Sequence, residues 1–332
     1  MEDGSINQAV RQLLEEKRGI ESLFGTGNSI WLILARSLSS LYFSLGKWED
    51  SSELLHQCLL ESKKVFGEDH PQTLTFMSDL STICRKQKRW DEAERLEMQV
   101  RETSTKILGP ENPDTLTSIS YLASIYKGQN RLEEAEELEE LLLEMRTRVL
   151  GPEHPDTIFT MSNLAVTYNS RGRCGEAEAL GLNVVDLSEK VLGEAHPETL
   201  TSKSNLGTVY HSQGRYEQAE AQFRQILEKK KIVLGLEHPS TLLTEYNLAG
   251  TLRDQRRWVE AEELWRKVIL AQLDRGDRNE AFDALEECTK MWMKESGLED
   301  EEMLKDGRAV KGYLGARHSF AEEFGRRFHN QS

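Results

Sequence analysis

The chain reads as a succession of short helices, each with one apolar stripe. Leu80, Leu122, Leu164, Leu206 and Leu248 are followed, in three of the five copies, by an aromatic four positions on (Tyr126, Tyr168, Tyr210). Residues at i and i+4 share a helix face, so each segment predicts an amphipathic helix with its leucine side turned inward. A polar turn such as Gly172–Arg173 or Gly214–Arg215 comes next. A second helix then opens on a Trp, Leu, Cys or Tyr (Trp48, Trp90, Leu132, Cys174, Tyr216, Trp258). One turn in, it presents Ala93, Ala135, Ala177, Ala219 or Ala261, each followed by a glutamate. Alanine there lets the two helices of a pair approach closely.

These markers recur with a period of 42 residues and keep phase without an insertion, which chance does not do. Pro71, Pro113, Pro155, Pro197 and Pro239 open the first helix of each pair, where a missing N–H costs nothing and a fixed φ suits the first turn. Asp114, Asp156 and Glu198 directly behind them complement the positive end of the helix dipole. Ile107–Leu108–Gly109, Val149–Leu150–Gly151 and Val191–Leu192–Gly193 close second helices, with glycine expected as a left-handed C-terminal cap.

Composition narrows the class. A chain of 332 residues has room for two ordinary domains or one elongated array, and 38% hydrophobic with 30% charged residues suits helices that each bury one stripe. The net charge of −15 argues against a nucleic-acid partner and against an anionic membrane surface. No apolar run approaches a membrane span, and the N-terminus lacks a signal-like apolar core. Cys58, Cys84, Cys174 and Cys288 are scattered without a CxxC pair, as expected of packed, reduced thiols in a cytosolic or nuclear setting, of which the cytoplasm is the expectation.

The run Asn163–Leu164–Ala165, Tyr168, Gly172–Arg173, Glu176–Ala177–Glu178 and Leu192–Gly193–Glu194–Ala195–His196–Pro197 resembles the tetratricopeptide repeat. The usual period is 34, and the added residues amount to roughly one more turn on each helix. In particular it resembles the form found in kinesin light chains and in the repeat tails of fungal NACHT or NB-ARC receptor-like proteins. The resemblance spans about residues 29–274. It implies an all-α fold, a right-handed superhelical solenoid of antiparallel helix pairs. Six repeat units (29–70, 71–112, 113–154, 155–196, 197–238 and 239–274) would lie between an N-terminal capping helix within 1–28 and degenerate capping helices and tail over 275–332. Only Ser5 to about Phe24 precedes the array, not the long coiled coil with which kinesin light chains dock on the motor's heavy chain. No GxxxxGK[ST] loop occurs, so the nucleotide-binding module of the receptor-like proteins is not expected either.

The resemblance also implies a concave groove walled by the first helices. Equivalent offsets place Arg36, Arg85, Ser120 and Lys127 on that wall, then Asn169, Thr208, His211 and Arg253. Asn163, Asn205 and Asn247 share one position in consecutive repeats, where Asp79 and Tyr121 stand in earlier ones. Asparagine donates and accepts at once, so a ladder of them can hold a peptide backbone. In related repeats this position contacts peptide ligands, a role carried over to these three alone. Arg36, Arg85, Lys127 and Arg253 make the wall mildly basic and would suit acidic side chains. The second helices are acidic instead, with Glu133, Glu134, Glu136, Glu137, Glu139, Glu140 and Glu144 crowding one of them.

Other chemistry finds little support. His70, His154, His196 and His238 recur in phase, yet neighbouring repeats stand roughly 10 Å apart whereas a metal–ligand bond takes about 2 Å. They read as loop residues before proline, with Asn112 in the same slot. No Gly-x-Ser-x-Gly, HExxH or spaced Cys/His pair occurs. The expectation is therefore a non-enzymatic scaffold, without cofactor or metal, monomeric or weakly self-associating. Its partner would be a protein or peptide, an extended and acidic one held in the groove. The alternative is a stand-alone sensor or regulatory relative of the receptor-like proteins, docking partners through its convex face or its ends. Phe320, Phe324 and Phe328, at helical spacing in the tail, are expected to pack on the final repeat, with insertion into the groove or binding of a partner as the other reading.

Overall fold

The computed structural model describes residues 2–26, 28–275 and 278–295. Among them are fourteen α-helices and no strand. The chain divides into two compact units, Met1–Thr167 and Tyr168–Ser332. Phe320, Phe324 and Phe328 lie outside the described residues.

The first unit carries α1 (Glu2–Phe24), α2 (Ser29–Ser44), α3 (Trp48–Phe66), α4 (Pro71–Lys86), α5 (Trp90–Leu108), α6 (Pro113–Gly128) and α7 (Leu132–Leu150), with most of α8 (Pro155–Ser170). The second carries the end of α8, then α9 (Cys174–Leu192), α10 (Pro197–Ser212), α11 (Tyr216–Val233), α12 (Pro239–Asp254), α13 (Trp258–Asp274) and α14 (Arg278–Glu295). Each helix packs on the next from α1 to α7 and from α9 to α14. The even-numbered first helices also meet their successors, α4 on α6 and α10 on α12. Each unit is thus a stack of helix pairs in the manner of a repeat solenoid.

The recurring prolines are the first residues of α4, α6, α8, α10 and α12. The residue before them has a job that its place in a loop did not reveal. The Nδ1 atoms of His70, His154, His196 and His238 accept from the backbone N–H two residues on, at 3.1–3.2 Å, and the Asn112 side chain does the same at 2.9 Å. These are N-caps, and a histidine cap works only while Nδ1 is unprotonated. Burial, then Arg275 and Lys230, holds the His238 imidazole below its ordinary value. A histidine lowered in the folded state contributes its stability above the unfolded value of about 6.5, and that contribution is lost as pH falls through the lower folded value. His238→Asn keeps the cap at every pH. Its unfolding free energy should match the parent's at pH 7.5 and exceed it by about 1 kcal/mol near pH 5, and parallel pH curves from urea titrations would count against the cap.

The polar turn inside each pair is three residues long, and its middle residue takes positive φ throughout. Gly46, Gly172 and Gly214 fill it at 70–77°, Lys88, Asn130 and Arg256 at 58–63°. A turn this short returns the chain antiparallel. The glycines closing second helices depart from expectation. Gly67, Gly109, Gly151 and Gly193 have φ of 92–96° with ψ of 157–167°. This is the extended positive-φ region open essentially to glycine alone, not a left-handed cap. Behind Gly109, Gly151 and Gly193 the chain makes one tight turn, in which the N–H three residues on donates to the glycine carbonyl.

Inside the pairs, Ala93, Ala135, Ala177, Ala219 and Ala261 are all fully buried. Close approach is tightest at two glycines: a Cβ on Gly128 would sit 2.4 Å from the Trp90 ring, and one on Gly207 2.8 Å from Phe223. The glutamate after three of these alanines staples one repeat to the next. Glu94 accepts from Gln129 and Arg131, Glu178 from Gln213 and Arg215, and Glu220 from Arg257, at 2.7–2.8 Å. Arg131, Arg173 and Arg215 also lie 4.1–4.3 Å from the ring centres of Tyr126, Tyr168 and Tyr210. Arg215 holds the Glu178 carboxyl below the usual range. None of the described helices is long and apolar enough to cross a membrane.

Candidate functional site

The wall residues Arg85, Lys127, Asn169, His211 and Arg253 occupy one repeat position near the end of their first helices. The structure engages each of them. Arg85 donates to Ser124 on α6 at 2.6 Å and stands 5.5 Å from the centre of the Tyr121 ring. Lys127 lies 2.7 Å from the buried Glu139 carboxylate, which also accepts from Thr167. Arg36 pairs with Asp79 on α4 at 2.6 Å. In the second unit Asn169 donates to Ser212 at 3.0 Å, and the His211 Nε2–H donates to Asp254 at 2.9 Å. Arg253 donates to Asp254 at 2.8 Å and to Glu287 of α14. Four of these contacts step from one first helix to the next: Arg36 to Asp79, Arg85 to Ser124, Asn169 to Ser212 and His211 to Asp254. The row of polar groups read as awaiting a ligand therefore also sets the spacing of the wall.

A second position, one period apart on the second helices, decides what lies beneath. Its occupants are Leu55, Glu97, Glu139, Gly181, Phe223 and Trp265. In the first unit it is acidic in two of the three repeats, at Glu97 and Glu139. Glu97 is fully buried and accepts from Ser78 at 3.3 Å. Burial pushes its carboxyl up to about 7, and the same burial lowers the nearby Arg85 guanidinium. In the second unit it turns aromatic: Phe223 and Trp265 are each 1% exposed. The mixed residue types at this position hide it from a search for recurring residues.

Over those two rings opens a cleft of about 130 Å³. Thr208 and His211 line it from α10, Phe223 from α11, and Tyr246, Asn247, Gly250 and Arg253 from α12. Trp265 of α13 and Glu287 of α14 complete it. A Cβ on Gly250 would meet nothing within 4 Å, so glycine there keeps the mouth wide. Tyr246 and Trp265 are tilted at 57° with centroids 6.3 Å apart, and the Arg253 guanidinium stands 5.8 Å from the Trp265 ring centre. The Trp265 indole N–H is buried without a described partner. The Asn247 carbonyl accepts from Thr251, and its side-chain amide makes no hydrogen bond to a described residue.

Four of the residues singled out in the sequence, Thr208, His211, Asn247 and Arg253, thus come together around one aromatic-floored opening. Asn205 is half-buried on α10 outside its lining, and Asn169 is tied to Ser212. Asn163, Ser120, Arg85 and Lys127 belong to the first unit. Phe223, Trp265 and Glu287 were not anticipated as site residues.

Two family models described as tetratricopeptide repeat match the chain, one over residues 32–106 and 168–232 and the other over 115–156, together more than half its length. The chain belongs to the tetratricopeptide repeat family. Among solved structures it is similar to the kinesin-light-chain-type, nearly identical TPR-like repeats of Podosopora anserina. That match has 28% identity and a TM-score of 0.52, covering 61% of this chain and 96% of that one. BtubC (BKLC) from P. vanneervenii matches at 19% identity over 69% of this chain and 91% of its own, with a TM-score of 0.55. NprR in complex with its cognate peptide NprX matches at 17% identity over 98% of both chains, with a TM-score of 0.59. No curated protein matches the sequence. The kinesin-light-chain-like form of the repeat is thus shared with solved relatives, and the more distant matches bear on the solenoid fold alone.

Proposed function

We propose that this tetratricopeptide repeat chain is a non-enzymatic, cytoplasmic adaptor that holds an extended, acidic peptide against its first helices. The observation that carries this reading is the cleft. It combines an aromatic floor, an uncommitted asparagine amide, an unpartnered indole N–H and a guanidinium at one opening. Such a mixture of apolar surface and few placed polar groups is what a side-chain anchor needs. NprR, of the same fold, has been solved with a peptide in place. Asn163, Asn205 and Asn247 supply backbone contacts in this reading, and Arg253 takes an acidic side chain with Thr208 and His211 beside it. Arg85 and Lys127, each beside a buried glutamate, contribute through the field of the wall more than by direct pairing.

The test is fluorescence polarisation with a fluorescein-labelled decaglutamate peptide. Asn163→Ala, Asn205→Ala and Asn247→Ala together should abolish binding, while the melting temperature moves by no more than a few degrees. Undiminished binding would sink the asparagine ladder. A docking role for the acidic second helix is separated by Glu133→Lys, Glu137→Lys, Glu140→Lys and Glu144→Lys, four exposed positions. Groove binding should not weaken in that variant. Glu134, Glu136 and Glu139 are left out because Glu134 is tied to Arg131 and the other two are buried.

A further inference from the structure

Resting on the acidic-peptide reading, we propose that Glu287 of α14 is a resident competitor that holds the Arg253 corner of the cleft against acidic ligands, so that α14 sets their affinity. The geometry departs from its own pattern at this point. Where the wall steps from one first helix to the next in the second unit, the acceptors are Ser212 and Asp254, the last residues of α10 and α12. They tie the helix ends together and leave the middle of each helix face open. Glu287 instead lies mid-way along α14, lines the cleft itself, and accepts from Arg253 Nη1. Arg253 already has Asp254 as a partner at 2.8 Å, so Glu287 is not needed to satisfy a buried cation.

Glu287 and Arg253 are each about a quarter exposed, at 25% and 26% of their side chains. The pair is part-buried, with one edge of it reached by solvent. It also stands at a mouth that a ligand carboxylate could enter. Lys290, 3.0 Å from Glu287 on the same helix, offers the displaced carboxylate a second cation, which keeps the exchange cheap. A carboxylate on the ligand thus replaces one of the same charge on the protein, and no buried group is stranded. The consequence is selectivity. A single acidic residue gains little over the resident one, whereas a peptide that also fills the aromatic floor and engages Asn247 gains enough to displace it.

The test uses the full chain, the labelled decaglutamate peptide and a decaglutamine control, with Glu287→Gln, Arg253→Gln and the double variant. Glu287→Gln should bind decaglutamate about tenfold more tightly than the parent. The double variant should fall back to the parent's level or below, decaglutamine should be indifferent throughout, and circular dichroism melts should be unchanged. If Glu287→Gln binds no more tightly while Arg253→Gln still weakens binding, the groove takes acids but Glu287 does not compete, and this inference alone fails. If no variant distinguishes decaglutamate from decaglutamine, the acidic-peptide reading fails with it.

Discussion

Replacing Lys230 by Met is expected to make the second unit more stable at pH 7, by up to about 3 kcal/mol. Lys230 is 1% exposed, and among the described residues its ammonium finds only Thr244 at 2.9 Å, the Ser240 carbonyl at 3.2 Å and Ser204 at 3.3 Å. No carboxylate is among these partners. Burial therefore lowers its pKa to about 8. A lysine depressed in the folded state but near 10.4 when unfolded binds fewer protons folded than unfolded between those values, so stability rises with pH across that window. The parent should gain stability from about pH 8 towards pH 10, opposite to the usual alkaline loss, and Lys230→Met should lack that rise. The neighbours tolerate the change because Thr244 still donates to Ser240 at 2.9 Å and lies 3.1 Å from Ser204. The equivalent position holds the buried serines Ser62, Ser104 and Ser188 in three other repeats, and in a fourth the buried Arg146, which likewise donates to a main-chain carbonyl and a threonine. Urea titrations at pH 7 and pH 9.5 decide the matter, and a destabilised Met variant would show that the ammonium is well solvated by those hydroxyls.

That lysine illustrates where the sequence was legible and where it was not. Helix starts at the prolines, helix ends at the glycines and the close-packed alanines follow from local preferences, and each local rule agrees with the period. Contacts made across the period are another matter. The staple from Glu220 to Arg257, the wall contact from His211 to Asp254 and the setting of Lys230 all pair residues from different repeats or helices. One sequence shows that such residues recur but not what they reach. The cations of the wall were read as free to greet an acidic ligand because their partners sit outside the local window. The histidine caps escaped notice for a different reason: histidine is an uncommon cap, and only the parallel with Asn112 hints at the role. The cleft was half legible. Its polar rim lies on the repeating first-helix positions, whereas its floor lies on a second-helix position whose residue type changes from glutamate to glycine to aromatic along the chain. A conserved type advertises itself through periodicity. A variable one, which is where a ligand is chosen, does not.

Trp265→Ala should be the most damaging single change to that floor, costing about 3–5 kcal/mol. The ring is 1% exposed and packs in a cluster with Leu248, Leu252, Val268, Ile269 and the α14 residues Ala281 and Leu285. Removing it empties the space beneath Arg253 and takes away the tilted partner of Tyr246. An earlier repeat shows what compensation would require. There the equivalent residue is Gly181, and Leu206 fills the gap so closely that an added Cβ would meet it at 3.3 Å. Two periods on, where Trp265 stands, the counterpart of Leu206 is Lys290 of α14, which pairs with Glu286 and Glu287, so no leucine stands there to follow a lost ring. Because a solenoid couples mainly nearest neighbours, the damage should stay local. Amide exchange should rise across α12, α13 and α14 while the protection of α2 to α6 is unchanged. Trp265→Phe, which copies Phe223 at the equivalent position, should retain most of the stability. It should also keep decaglutamate binding within a few-fold, since the floor stays aromatic while only the indole N–H is lost. A Phe variant that folds as the parent does but no longer binds would assign that N–H a direct part in holding the ligand.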